Sequence, residues 1–202
     1  MKILTNQFYS GNNVAQIARL LLGKIIITQI DGQLTSARIV ETEAYVGIID
    51  KASHSYNGKR TQRNEHMYAG GGICYVYICY GMHHLFNVVT NKTDMPDAVL
   101  IRAAEPVEGM DIMLLRTGKP KPDYTLTKGP GNMSKALGIQ KIHSGISLQS
   151  ATIFIADDGH IMVNNTIGKS KRIGIYGAGA DALLPYRFYI RGNKYVSGSP
   201  VK

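Results

Sequence analysis

The chain has 202 residues, a formal net charge of +9 and an apolar fraction of 44%, which predicts one domain of upper-middle size with a substantial core. Charged residues make up 18%, too few for a disordered polyelectrolyte. No apolar run reaches bilayer length, so no membrane association is expected, and MKILTNQFYSGNN lacks the apolar stretch of a signal peptide.

The basic balance leaves two readings open: an anionic partner such as nucleic acid, or a merely basic soluble protein. Cys74 and Cys79 lie five positions apart in one predicted strand, so they point to opposite faces. They are expected neither to pair nor to share a metal, and a reducing cytoplasm is the simplest home.

In chain order, Asn13 caps a predicted helix over VAQIARLLLG, with Val14, Ile17, Ala18 and Leu21 at helical spacing and Gly23 at its end. KIIITQI and SARIVETEAYVG read as strands. The polar stretch IIDKASHSYNGKRTQRNEHMYAGGG is long for a connection, and such segments tend to carry function. ICYVYICY and HHLFNVVT read as two strands joined by a hairpin-like reversal at Tyr80-Gly81-Met82. DAVLIRAAEP is a further strand. PVEGMDIMLLRTGK reads as a helix with Pro106 near its start and Val107, Met110 and Leu114 on one face. KGPGNMSKALGI leads into a short helix ending at Gly138, and IFIADDGHIMV reads as strand, turn, strand. KRIGIYGAGADAL is a glycine-broken loop before a terminal strand in YRFYIRG. The whole predicts one mixed α/β (α+β) domain over residues 1–202.

Several residues are candidates for chemistry. Strand alternation puts Glu41, Glu43 and Tyr45 on one face, with Val40, Ala44 and Val46 on the other. An acid beside an aromatic supports general-base chemistry in a semi-apolar pocket, or it is a solvated strand face. His54 lies among Lys51, Lys59, Arg60 and Arg63, a cluster suited to phosphates or simply to solvent. Tyr75 and Tyr77 share a face of their strand, while Tyr80 has the opposite parity beside Gly81, and Val76 and Ile78 are expected to face the core on Tyr80's side. A tyrosine at a hairpin tip can be driven between base pairs, though tyrosine is also an ordinary strand residue. Asn87 and Arg102 interrupt apolar strands and need partners if buried. The segment TKGPGNMSK, 127–135, opens a helix with glycines and suits a phosphate or a plain helix entrance. No metal-ligand spacing, nucleophile elbow or dinucleotide fingerprint is present.

In order, VETEAYVG, ASHSYNGKRTQRN, YVYICYGMHHLFNVVT, VLIRAAEPVEG, KGPGNMSKALGI and YRFYIRG closely resemble the single-domain alkyladenine (3-methyladenine) DNA glycosylase family. The likeness covers nearly the whole chain. It implies a curved antiparallel sheet with surrounding helices and a protruding β-hairpin that enters DNA. It implies a monofunctional base-excision-repair enzyme that acts on double-stranded DNA with damaged purines, without a cofactor or metal, as a monomer in the cytoplasm.

Carried over by motif, the general base falls on Glu43 and the water-side arginine on Arg102. Base-binding residues fall on Tyr45, His54, Tyr77 and Asn87, and the intercalating tyrosine on Tyr80. A water-positioning backbone carbonyl falls on Ile173. Lys59, Arg60, Arg63, Lys128 and Lys135 are expected at the DNA backbone, and Tyr75 is expected to support the sheet. The segment between Arg116 and Thr127, and His83-His84, depart from the family pattern. A non-catalytic nucleic-acid-binding module is the rival from another class. A nuclease is a second rival, but it would need clustered carboxylates for metal.

Overall fold

β-Branched and aromatic residues fill the segments that become strands, because branching at Cβ favours an extended backbone. The structure, a computed structural model, describes residues 1–198. Among these, nine strands form one open antiparallel sheet. They are β1 (Lys2–Ile3), β2 (Ile25–Ile30), β3 (Gln33–Tyr45), β4 (Cys74–Cys79), β5 (His83–Thr90), β6 (Asp97–Glu108), β7 (Ile153–Asp157), β8 (Ile167–Ser170) and β9 (Arg187–Ile190). The order is β1-β7-β2-β3-β6-β5-β4, and β9 pairs with both β3 and β8. The helices are α1 (Asn6–Tyr9), α2 (Val14–Leu20), α3 (Met110–Thr117) and α4 (Pro130–Ala136). The mixed α+β class read from the sequence is the one observed.

β3 is the pivot. Its first half pairs with β2, its second half pairs with β9 on the same side, and β6 runs along its other side. α2 packs on one face of β3, where Thr42 Oγ1 donates to the Ala18 carbonyl at 2.8 Å. Asn13 caps α2, accepting the Gln16 N–H at 3.0 Å. Ile17, Ala18 and Leu21 join Ile39, Ala44, Val76, Phe86 and Ile101 in the main core. A second cluster, Met67, Tyr68, Tyr75, Val89 and Ala98, lies apart from it.

The structure corrects four local expectations. First, Val40 does not share a face with Ala44. The register of β3 against β6 shifts between Ile39 and Glu41, so Val40 leaves the main core and packs with Ala103, Tyr189 and Val196. A bulge of this kind breaks the two-residue alternation.

Second, Pro106, Val107 and Glu108 belong to β6, not to the following helix. Gly109 makes the break: its φ is 78°, and a Cβ there would meet the Leu34 carbonyl oxygen at 2.4 Å. Third, residues 160–163 do not return as a strand after the Asp158-Gly159 turn. β7 already has β1 on one edge and β2 on the other, so no edge is free to receive them. Fourth, Ile78 is exposed although Val76, on the same face of β4, is buried. The hairpin runs out past the core.

The Gly109 geometry makes a stability prediction. Gly118 has a similar φ of 75° but nothing within 4 Å of its would-be Cβ. Gly118→Ala should therefore cost about 1–2 kcal/mol for the left-handed backbone alone. Gly109→Ala should cost clearly more, about 3 kcal/mol or above, because backbone must also shift. Urea unfolding of the two variants measures the difference, and equal costs would refute the steric account.

Candidate active site

The β4–β5 hairpin closes through the pair Cys79 and His83, leaving Tyr80-Gly81-Met82 as its tip. Met82 N–H donates to the Cys79 carbonyl at 3.2 Å. Tyr80 and Gly81 have φ of 50° and 72°, the two positive values of a type I′ turn. A bulky residue rarely adopts positive φ, so the turn holds Tyr80 where its ring cannot fold back as strand filler. Tyr80 is 82% exposed, and Ile78 and Met82 are exposed beside it. The hairpin thus ends in an apolar projection.

Next to its base lies a cavity of about 360 Å³, whose walls include Tyr45, His54, Arg63, Tyr75, Tyr77 and Asn87. The four residues expected at a base pocket are all among its lining residues. Tyr75 and Tyr77 stack with centroids 5.6 Å apart. His54 meets the Tyr77 ring edge-on at 4.6 Å, and its Nδ1 pairs with the Tyr75 hydroxyl at 2.8 Å. Tyr75 therefore does more than support the sheet: it fixes the His54 ring. Asn87 donates to the carbonyls of Tyr75 and Leu85 at 3.1 and 3.3 Å, which holds its amide across the hairpin base.

The long polar segment holds His54 from below. Asn64 Nδ2 donates to the His54 and Lys59 carbonyls at 3.0 and 2.8 Å, and Asn64 Oδ1 accepts from Thr61 N–H at 2.7 Å. One buried amide thus ties a loop with little regular structure. Although part of the imidazole is open to solvent, burial against the cavity walls, then the nearby Arg63 and Lys59 charges, lower its pKa to about 4. His54 is a neutral wall at physiological pH.

Glu43 lies beneath the Tyr45 wall, with no exposure to solvent. Its Oε1 accepts from the Ile173 N–H at 2.7 Å. Its Oε2 accepts from the Tyr45 hydroxyl at 2.9 Å and from Arg102 Nη1 at 3.3 Å. Burial raises its pKa above the ordinary carboxylate range, against the opposing pull of Arg102, the Ile173 N–H and the Tyr45 hydroxyl. Burial and then Glu43 raise Tyr45 well above an ordinary phenol. Ile173 meets the site, but through its N–H on Glu43, whereas the sequence resemblance implied its carbonyl.

Arg102 occupies the point where β6 has an extra residue against β3, since Glu41 pairs with Ala103 and Thr42 with Ile101. It bonds Glu41 Oε1 through Nε at 3.1 Å and is itself buried. Arg102 is thus committed to two carboxylates. Lys51 and Arg63 line the cavity, with Arg63 5.6 Å from the Tyr77 ring centroid. Arg60 is answered by Glu65 and Asp94. Lys128 lies beside Tyr80 on the other flank of the hairpin, and Lys135 bonds the Thr117 carbonyl at 3.3 Å.

A methylpurine-DNA glycosylase family model matches residues 7–194. The chain belongs to that family. It is 46% identical to a protein of Desulfitobacterium hafniense strain Y51, over 98% of this chain and 99% of the other. It is 47% identical to one of Chlamydia abortus, over 93% and 98%, and 43% identical to one of Clostridium perfringens strain 13, over 96% and 98%. All three bear the name 3-methyladenine DNA glycosylase as a provisional assignment.

Sequence reasoning missed part of the candidate site. Arg172 stacks 4.7 Å from the Tyr45 ring centroid and bonds Asp50 through both terminal nitrogens, backing the cavity wall. Arg187 and Ser197 join Glu41 beneath Glu43. The only sequence signal for Arg187 is its place in YRFYIRG, a charged residue in an apolar strand.

The His54 environment makes a pH prediction. Imidazole NMR should give a midpoint near 4 rather than near 6.5. The unfolded chain protonates first, so protonation favours unfolding as pH falls from about 6.5 to about 4, and stability drops across that window. A midpoint near the ordinary imidazole value would show that the walls do not hold the ring neutral.

Proposed function

We propose that this glycosylase is monofunctional: it flips alkylated or deaminated purines out of duplex DNA and hydrolyses their N-glycosidic bond, leaving an abasic site. 3-Methyladenine, 7-methylguanine, ethenoadenine and hypoxanthine are the proposed lesions. The observation that carries this reading is a buried carboxylate of raised basicity, Glu43, directly beneath an aromatic cavity at the foot of an exposed tyrosine-tipped hairpin.

A base inside a duplex must leave the stack before it can be cleaved. Tyr80 enters the vacated space and offsets part of the unstacking cost. The extruded purine stacks between Tyr45 and Tyr77, with His54 at its edge. Alkylated purines are often cationic or electron-poor, which suits aromatic walls. Asn87, on the cavity wall, helps to exclude normal purines. Lys59, Arg63, Lys128 and Lys135 hold the backbone, with Arg60 released from its carboxylates.

Admission of the nucleoside breaks the Tyr45–Glu43 contact and lets a water take that acceptor. Glu43 removes a proton from the water as its oxygen bonds to the anomeric carbon. The glycosidic bond breaks and the base departs with the electron pair. Arg102 orients Glu43, and the carboxylate stabilises the oxocarbenium character of the sugar. No lysine falls in the motifs that carry Glu43 and Arg102, so no Schiff base is expected.

The experiment is excision from duplexes bearing each lesion, followed by alkaline cleavage of abasic sites, with and without EDTA. Base release that survives EDTA is expected. Glu43→Gln should retain lesion binding and lose release by at least about 100-fold, as for loss of a general base; normal release would sink its role. Activity should fall as pH drops through the raised Glu43 pKa, because only the ionised form accepts the proton. Tyr80→Ala should weaken lesion binding while largely sparing the chemical step. DNA binding without any base release would favour a non-catalytic binding module instead.

A further inference from the structure

Two carboxylates and two guanidinium groups meet beneath the cavity. Glu41 is fully buried, and Arg102 and Arg187 nearly so. Glu41 Oε1 accepts from Arg187 Nε at 2.6 Å, Ser197 Oγ at 2.9 Å and Arg102 Nε at 3.1 Å, and Oε2 accepts from Ser197 N–H at 2.7 Å. Glu43 has a different shell. Its two nearest donors are the neutral Ile173 N–H and Tyr45 hydroxyl, at 2.7 and 2.9 Å, while the Arg102 cation is farther, at 3.3 Å.

We propose that Glu41 is a positioning residue: it divides the Arg102 guanidinium between two carboxylates and keeps Glu43 out of a closed ion pair. A carboxylate gripped by both arms of an arginine is a poor proton acceptor, since the charge-assisted bonds must be given up. Arg102 reaches Glu43 with one nitrogen because its Nε is turned to Glu41, and its Nη2 bonds Ser197 Oγ at 3.2 Å. Arg187 stands opposite Glu43 in the β9 register yet directs its Nε to Glu41. It thereby satisfies enough of the Glu41 charge that Arg102 is not drawn wholly away.

The charged and titratable groups facing Glu43 are Glu41 and Tyr45 of β3, Arg102 of β6, Tyr77 of β4, Arg187 of β9 and Arg172. Of these, Glu41 raises Glu43 by direct like-charge repulsion as well as through its hold on Arg102, and Arg187 acts through Glu41. The inference rests on the reading of Glu43 as the base, and it assigns to a neighbour the setting of that base.

The test is the pH dependence of single-turnover hypoxanthine excision by the full chain and three variants, Glu41→Gln, Arg187→Gln and Glu43→Gln. Glu41→Gln keeps shape and removes charge. Arg102 then closes on Glu43, the acid limb moves to lower pH by about one unit, and the plateau rate falls because the base is weaker. Arg187→Gln does the reverse. Glu41 then draws Arg102 away, and the acid limb moves to higher pH. A merely structural role would lower both melting temperatures and leave both limbs in place. Either variant alone tests the sign, so poor folding of one leaves the other decisive. A folded variant with the wild-type limb, or both limbs moving the same way, overturns the proposal. Full activity of Glu43→Gln overturns the base assignment instead, and separately.

Discussion

The structure depends on a buried set of charges that satisfy one another. Glu41 and Glu43 on β3 meet Arg102 on β6 and Arg187 on β9, all within the sheet. Taking a charge out of water is costly, and leaving one without its partner costs about 3–5 kcal/mol. The network is therefore an all-or-none arrangement that binds three strands and the Ser197 backbone to one point. Apolar side chains of similar volume would hold such a point as well or better. The charges make more sense as a support for Glu43 than as cement.

The sheet is built to deliver that support. β3 is 13 residues long, so one strand can meet β2 at its start and β9 near its end while β6 runs beside it. Of the three register irregularities between β3 and β6, two flank Glu41: Val40 is the extra residue on β3 and Arg102 the extra residue on β6. Bulges re-aim side chains, and here they turn two charges toward each other that strict alternation would not bring together. The hairpin of β4 and β5 continues beyond the core, which leaves Tyr80 in solvent and Tyr77 in the cavity wall.

The cavity combines rigid and adaptable parts. Tyr75 fixes His54, Arg172 backs Tyr45, and Asn64 ties the loop that carries His54. None of these contacts is with a neighbour in sequence. Wall side chains are thus held by contacts distant in sequence, which pre-organises the aromatic site.

Much was legible in the chain itself. The helix over 14–20, the long acidic strand, the tyrosine strand and the turn at Tyr80-Gly81 follow from periodicity, capping and glycine placement, all short-range physics. Long shared motifs supplied the family. What local pattern could not supply was register. No alternation rule predicts the bulge that moves Val40 off the core face, and no turn signal shows that β7 has both edges occupied before residues 160–163 could join it. Burial was equally out of reach: ETEAY reads the same on a solvated strand as at the centre of a sheet. Whether Glu43 is a surface acid or a shielded one was decided only when β6 and β9 closed on either side of β3, because desolvation and partner geometry are properties of the packed whole.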